Sequence, residues 1–154
     1  VLAEATCDVC IMYAKDPTPR TSRAEREYSD VVDYIRAFLA ERIEYARACG
    51  IGEDRIVVDP GMGAFVSSDP GPSLELLRHM DGSAELGLPV LVGASRKGFI
   101  GAVLDVPVDE RLEGSLACAC VASWNGARII RAHDVRETVR AVRMVDAIAT
   151  ASES

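Results

Sequence analysis

Histidine is scarce in this chain, with two in 154 residues, and cysteine comes as an odd five. Cys7 and Cys10 make a CxxC, yet no second CxxC and no neighbouring histidine completes a tetrahedral zinc set. The cysteines therefore read as ordinary core or surface thiols, and no metal ligands are expected. A basic surplus is missing too. Lys and Arg number 17 against 24 Asp and Glu, for a net charge of −7, which argues against a nucleic-acid partner. No run approaches the roughly 20 apolar residues of a membrane span, and no basic stretch followed by an apolar one opens the chain. A cytoplasmic setting is expected, with no membrane partner. What remains suits one domain, able to bury a core.

Three segments share one design: RIVVDPG (55–61), PVLVGASRK (89–97) and ARIIRAHD (127–134). Each is an apolar, β-branched run that stops abruptly at polar residues and is followed by a helical pattern. Buried parallel strands read as continuous Val/Ile/Leu runs, and α/β folds hold ligands at the carboxyl ends of their strands. Asp59, Arg96, Lys97, Arg131 and His133 are thereby expected on one face, a layout that suits an anionic substrate.

The rest of the chain fits a repeating rhythm. A strand at Val9–Tyr13 follows what reads as the tail of a helix over Val1–Thr6. After a polar loop with Pro17 and Pro19, a helix from about Asp30 to Cys49 carries Val32, Ile35, Leu39, Ile43 and Ala46 on one stripe. Ser29 or Asp30 can cap its start and Gly50 suits its end. Strands at Arg55–Asp59, Val90–Gly93 and Arg128–Arg131 then alternate with helices near Ser73–Met80 and from about Asp109 to Asn125. A last helix enters at Asp134, where Asp134 and Glu137 resemble a capping box and Val135, Val139, Val142 and Val145 make a stripe; the tail after Ala149 is expected to fray. Such β-α alternation predicts a parallel sheet with right-handed crossovers. A small doubly wound sheet and part of an eight-stranded barrel both satisfy it. A complete barrel takes about 250 residues.

The chemistry can be read site by site. Asp59, held by Pro60 and Gly61, can accept two parallel hydrogen bonds from an amidine-like edge such as an aminopyrimidinone ring; the same turn also serves elsewhere as a loop cap. Ser95, Arg96 and Lys97 follow a strand, where Lys can face an anion and Arg offers a planar fork, though a solvated basic loop has the same composition. Arg131 and His133 lie two apart, so in extended backbone they share a side. Together they suit a phosphate or carboxylate clamp, and His133 could pass a proton to a leaving group. The small-residue run Gly114–Trp124 suits close helix packing on a sheet, or a subunit interface.

At VCIMYAKDPTP (9–19), VVDPGMG (57–63), LVGASRKGFIG (91–101) and ERLEGSLACACVASWNGARIIRAHDV (110–135), the chain closely resembles the C-terminal half of dihydropteroate synthase. That resemblance implies a parallel α/β fold, a partial TIM (β/α)8 barrel in which residues 1–154 supply strands five to eight. It implies a transferase of folate biosynthesis that condenses 6-hydroxymethyl-7,8-dihydropterin diphosphate with 4-aminobenzoate, releasing diphosphate by an SN1-like route. Asp59 would bind the pterin edge and Met12 would line its slot, with Gly63 and Gly93 against the substrates. Lys97 would touch the pterin and the aminobenzoate side, Ser95 and Arg96 would stand near the aminobenzoate carboxylate, and Arg131 and His133 would hold the diphosphate. The catalytic set implied is Lys97, Arg131 and His133, helped by Mg2+ carried on the diphosphate. A homodimer, or the missing N-terminal half-barrel, is the implied protein partner.

Three departures stand out. The half of the barrel that supplies two mobile loops and further pterin ligands is absent. The usual DPGxGF turn reads DPGMGAF, so Ala64 stands where an aromatic is usual unless Phe65 takes its place. Tyr13 stands where His is common. Two other readings compete. A methyltetrahydrofolate-binding module of a corrinoid methyltransferase would share the barrel and Asp59 but lack the SRK and RxHD set; a non-catalytic half-barrel would need a partner chain.

Overall fold

The computed structural model of the chain describes residues 1–18 and 20–151. Pro19 of the first loop and residues 152–154 of the expected fraying tail lie outside them. Four strands, β1 (Val9–Met12), β2 (Ile56–Asp59), β3 (Leu91–Val92) and β4 (Ile129–Ile130), alternate with helices α1 (Val31–Ala48), α2 (Gly71–Arg78), α3 (Asp81–Ala84), α4 (Gly98–Leu104), α5 (Leu112–Trp124) and α6 (Val135–Ala149). Every pairing is parallel, as the alternation predicts. β1 runs beside β2 from Val9–Ile56 to Met12–Asp59, and β3 beside β4 at Leu91–Ile129 and Val92–Ile130. A bridge between Val58 and Val90, with the Val58 N–H donating to the Pro89 carbonyl at 3.0 Å, joins the two pairs. The strands therefore lie in the order β1-β2-β3-β4.

Side chains alternate across these strands. Ile56, Val58, Val90 and Val92 are each 1% exposed or less and face the helices. Cys10, Val57 and Leu91 lie on the opposite, more open face, in step with Met12 and Asp59. The core centres on α1, where the Asp30 carboxylate accepts from the Asp33 N–H at 2.8 Å and Gly50 ends the helix at φ +84°. Its buried stripe is Val31, Ile35, Leu39, Ile43 and Ala46, none more than 6% exposed. Val31, four residues before Ile35, begins the buried stripe, and the expected Val32 is partly buried against the same core. Each large aliphatic buried this way contributes roughly 1.5–3 kcal/mol.

Several boundaries differ from expectation for local reasons. Residues Leu2–Glu4 form a single 3-10 turn instead of a helix tail. A 3-10 turn at Glu53–Arg55 delays β2 to Ile56, freeing the Arg55 guanidinium to bond the Cys7 carbonyl at 2.7 Å and tie down the chain start. α2 begins earlier, at Gly71, with Pro72 in its first turn where a missing N–H costs nothing. Another 3-10 turn at Val108–Glu110 moves the start of α5 to Leu112. The short α4 is additional to the expected elements. Seven residues with two glycines carry no periodic signal, yet Phe99 and Ile100 are buried there.

The small residues of α5 serve packing: Ser115, Ala119 and Ala122 are buried, and a Cβ at Gly114 would strike Ile100. The expected capping box of α6 does not form. The Asp134 side chain turns to Arg96 instead, and Thr138 bonds the Asp134 carbonyl at 2.8 Å. The predicted α6 stripe is also largely open, with Val135 61% and Val139 43% exposed. Grooves run along both sheet edges, one of 480 Å³ flanked by Val9, Ile11 and Tyr45 and one of 260 Å³ flanked by Ile130, Val135 and Val139. Among the described residues, no helix is long and apolar enough to cross a membrane.

Candidate active site

The carboxyl ends of the strands carry the polar residues that the sequence singles out. Asp59 closes β2 and is 1% exposed. One of its oxygens accepts from the Gly61 N–H at 2.8 Å, and the other accepts from Arg131 Nη2 at 3.2 Å. Burial pushes the Asp59 carboxyl above its ordinary range, opposed by the Gly61 N–H and by the charges of Arg131 and Lys97. Gly61 sits at φ +74°, and a Cβ there would lie 2.6 Å from the Tyr13 carbonyl oxygen. The turn after Asp59 therefore demands glycine for two reasons.

Lys97 reaches the same place from the end of β3. Its ammonium donates to the Met62 carbonyl at 2.9 Å and stands 4.5 Å from the centre of the Phe65 ring, a cation–π distance. Burial lowers the Lys97 pKa to about 8, with Asp59 opposing the shift and Arg131 adding to it. A 3-10 turn at Gly63–Phe65 gives Phe65 this place, while Ala64 points to solvent. Phe65 thus supplies the aromatic of the turn. The Gly63 N–H donates to the fully buried Ser73 hydroxyl at 2.9 Å, and a Cβ on Gly63 would lie 3.3 Å from the Lys97 stem.

Arg131 continues from β4, its N–H on the Val92 carbonyl at 2.9 Å. Its guanidinium passes against Gly93, where a Cβ would lie only 2.7 Å from Nη2. Met12 stands beside Asp59 by strand register. Asp59, Lys97, Arg131, Gly63, Gly93 and Met12 are thus brought to one end of the sheet.

The remaining candidates form a neighbouring group. Ser95 Oγ lies 3.0 Å from His133 Nδ1 and accepts from the His133 N–H at 3.2 Å. Arg96 engages Asp134 with both arms of its fork, at 3.0 and 2.5 Å. The Met62 carbonyl is the participant that the sequence did not point to. Asp134, expected there as a helix cap, pairs with Arg96 instead, and Phe65, the alternative to Ala64, is the aromatic beside Lys97. Tyr13, which stands where His is common, is instead a core residue, 2% exposed, with its hydroxyl 2.9 Å from that of Tyr28. Among the described residues, no three His, Cys, Asp or Glu side chains converge.

A buried carboxylate flanked by two cations can bind a flat, amidine-bearing ring and an anion together. Comparison with known proteins gives the family of the chain. A model describing pterin binding enzymes matches residues 1–133. The chain belongs to the pterin-binding enzyme family. It is 39% identical over 152 residues to the dihydropteroate synthase of Escherichia coli K12, covering 99% of this chain and 53% of that one. The Bacillus subtilis dihydropteroate synthase is 37% identical over 148 residues, 96% of this chain and 48% of its own. Among solved structures, the Xanthomonas albilineans dihydropteroate synthase in complex with 7,8-dihydropteroate superposes with a TM-score of 0.87 at 34% identity, over 98% of this chain and 55% of that one. The Yersinia pestis dihydropteroate synthase with a sulfonamide drug gives 0.86 at 37% identity, over 94% and 52%. These relatives are transferases, and the chain spans about half their length.

Proposed function

We propose that residues 1–154 are the C-terminal half of a dihydropteroate synthase-type domain, supplying strands five to eight of a (β/α)8 barrel. The open edges of β1 and β4, with their apolar grooves, are where the other four strands would join. The complete site would condense 6-hydroxymethyl-7,8-dihydropterin diphosphate with 4-aminobenzoate, giving 7,8-dihydropteroate and diphosphate. The observation that carries this reading is Arg131 paired with buried Asp59 at 3.2 Å, at the strand end where Lys97 is held on the Met62 carbonyl.

Each residue then has a task. Asp59 accepts the 2-amino and ring N–H edge of the pterin as a bidentate pair, and Met12 walls the slot. As the ring takes the carboxylate, the Arg131 guanidinium is released toward the diphosphate, next to His133. Lys97, mostly protonated at neutral pH with its pKa at about 8, adds charge where the carbon–oxygen bond breaks. Fixed cations placed where negative charge develops on the leaving group stabilise the transition state of such a step. Ser95 and the stem of Arg96 border the aminobenzoate. Mg2+, arriving on the diphosphate as part of the substrate, neutralises some of its charge.

The test is calorimetric titration of the chain with the dihydropterin diphosphate and Mg2+, with 7,8-dihydropterin as control. Clearly tighter binding of the diphosphate form is the expected result. Equal binding of both would favour a pterin module of the methyltransferase type, and binding of neither would mean that the site needs the other half-barrel.

A further inference from the structure

Arg96 is one of two non-glycine residues with left-handed backbone among those described, at φ +56°. The Lys97 N–H closes a turn onto the Ala94 carbonyl at 3.1 Å, which makes Arg96 the third residue of that turn. A turn with positive φ at its third position is normally filled by glycine. A β-carbon is carried there against the backbone preference, so the side chain must contribute something.

The Arg96 backbone is already held: its N–H donates to the buried Ser115 hydroxyl at 2.9 Å, and the Arg111 guanidinium donates to its carbonyl at 3.1 Å. The side chain adds a bond of its own. The fork meets Asp134 across the gap between the loops after β3 and β4. Beside it, Ser95 is bonded to His133. The left-handed turn sends Arg96 outward to Asp134 and Lys97 inward to the Met62 carbonyl, 2.9 Å away, within reach of the charges of Asp59 and Arg131.

We infer that Arg96 and Asp134 form a latch that positions Lys97 opposite Arg131 around Asp59. The inference rests on the proposed reading of Lys97 and Arg131 as the substrate-facing cations, but it is read out on Lys97 directly, without substrate. Lysine occurs in this chain only at 15 and 97.

The experiment is competitive acylation of the intact chain across a pH series, with mass spectrometry resolving the two lysines. In the unsubstituted chain, Lys97 is expected to titrate at about 8. In Arg96→Gly and Asp134→Asn it should move up by about one pH unit toward free lysine, near 10.4. Arg96→Gly separates positioning from folding, since glycine suits the turn and thermal stability should not fall. Arg96→Lys, which keeps the charge without the fork, should restore the titration only in part. An unmoved Lys97 in folded Arg96→Gly overturns the latch, as does a Lys97 that titrates like a free amine in the unsubstituted chain. A latch-dependent titration in a chain that does not prefer the dihydropterin diphosphate would instead sink the substrate reading and leave the latch standing.

Discussion

α1 and α6 bear the same kind of apolar stripe, yet only one of them is used. On α1, Ile35 and Leu39 are 0% exposed and Ile43 is 3% exposed. On α6, Val135 is 61% and Val139 43% exposed, and Thr138 is the buried residue. Periodicity says which side of a helix wants a partner; it does not say whether the partner is on the same chain. α1 lies over the paired strands β1 and β2, while α6 overhangs the free edge of β4, where no further strand runs among the described residues. The contrast between the polar ends of the strands and their edges is similar. The ends are tied by side-chain bonds between distant residues, and the edges are open grooves.

The largest effect that would sharpen this contrast is in stability. Leu39→Ala should cost about 2–5 kcal/mol, while Val139→Ala should cost about 0.5 kcal/mol or less. Denaturant unfolding of both variants checks it, and a comparable loss at Val139 would show that the α6 stripe is covered in solution.

Next comes the site's dependence on a missing side chain. Gly93→Ala puts a Cβ where only 2.7 Å separates it from the Arg131 guanidinium. Binding of dihydropterin diphosphate should weaken about tenfold, by the ~1.5 kcal/mol of a displaced charged hydrogen bond. Affinity within twofold of the unsubstituted chain would mean that Arg131 is free to swing elsewhere.

A third prediction concerns pH. The folded-state pKa of Lys97 is depressed to about 8, below the roughly 10.4 of a free lysine. Between those values the unfolded chain binds more protons, so stability rises with pH there and is lost as pH falls through about 8. Relative to Lys97→Met, the unsubstituted chain should gain stability steadily across that window. Parallel stability curves for the two would contradict the burial of Lys97. The smallest effect is at Cys10, whose thiol is pushed up by burial first and then by Asp59, with Arg131 pulling the other way. Arg131→Ala should slow its alkylation near pH 8, as followed by peptide mapping; an unchanged rate would place Arg131 farther from the open face of the sheet.

Much of this is legible in the sequence. The three strand ends at Asp59, Gly93 and Arg131 are marked by apolar runs that stop at polar residues, and the structure brings these residues to one end of the sheet. α1 is readable from its stripe, cap and terminal glycine because all three signals are local. α4 is not, since its stability comes from burying Phe99 and Ile100, which a seven-residue window does not reveal. The Arg96–Asp134 pair is hidden for a related reason. Its partners are 38 apart in sequence and meet only through the β3–β4 pairing, while Asp134 reads locally as a cap. Sequence alone does not choose between Ala64 and Phe65, because one residue of 3-10 turn decides which of them faces Lys97.

The most direct measurement of the central claim is the preference for dihydropterin diphosphate over dihydropterin, taken on the unsubstituted chain and on Arg131→Ala. If the cations around Asp59 form an anion site, Arg131→Ala loses roughly ten- to a hundredfold of affinity for the diphosphate form, the ~1.5–3 kcal/mol of a charged hydrogen bond, and its preference collapses. A preference that survives intact in Arg131→Ala contradicts the account.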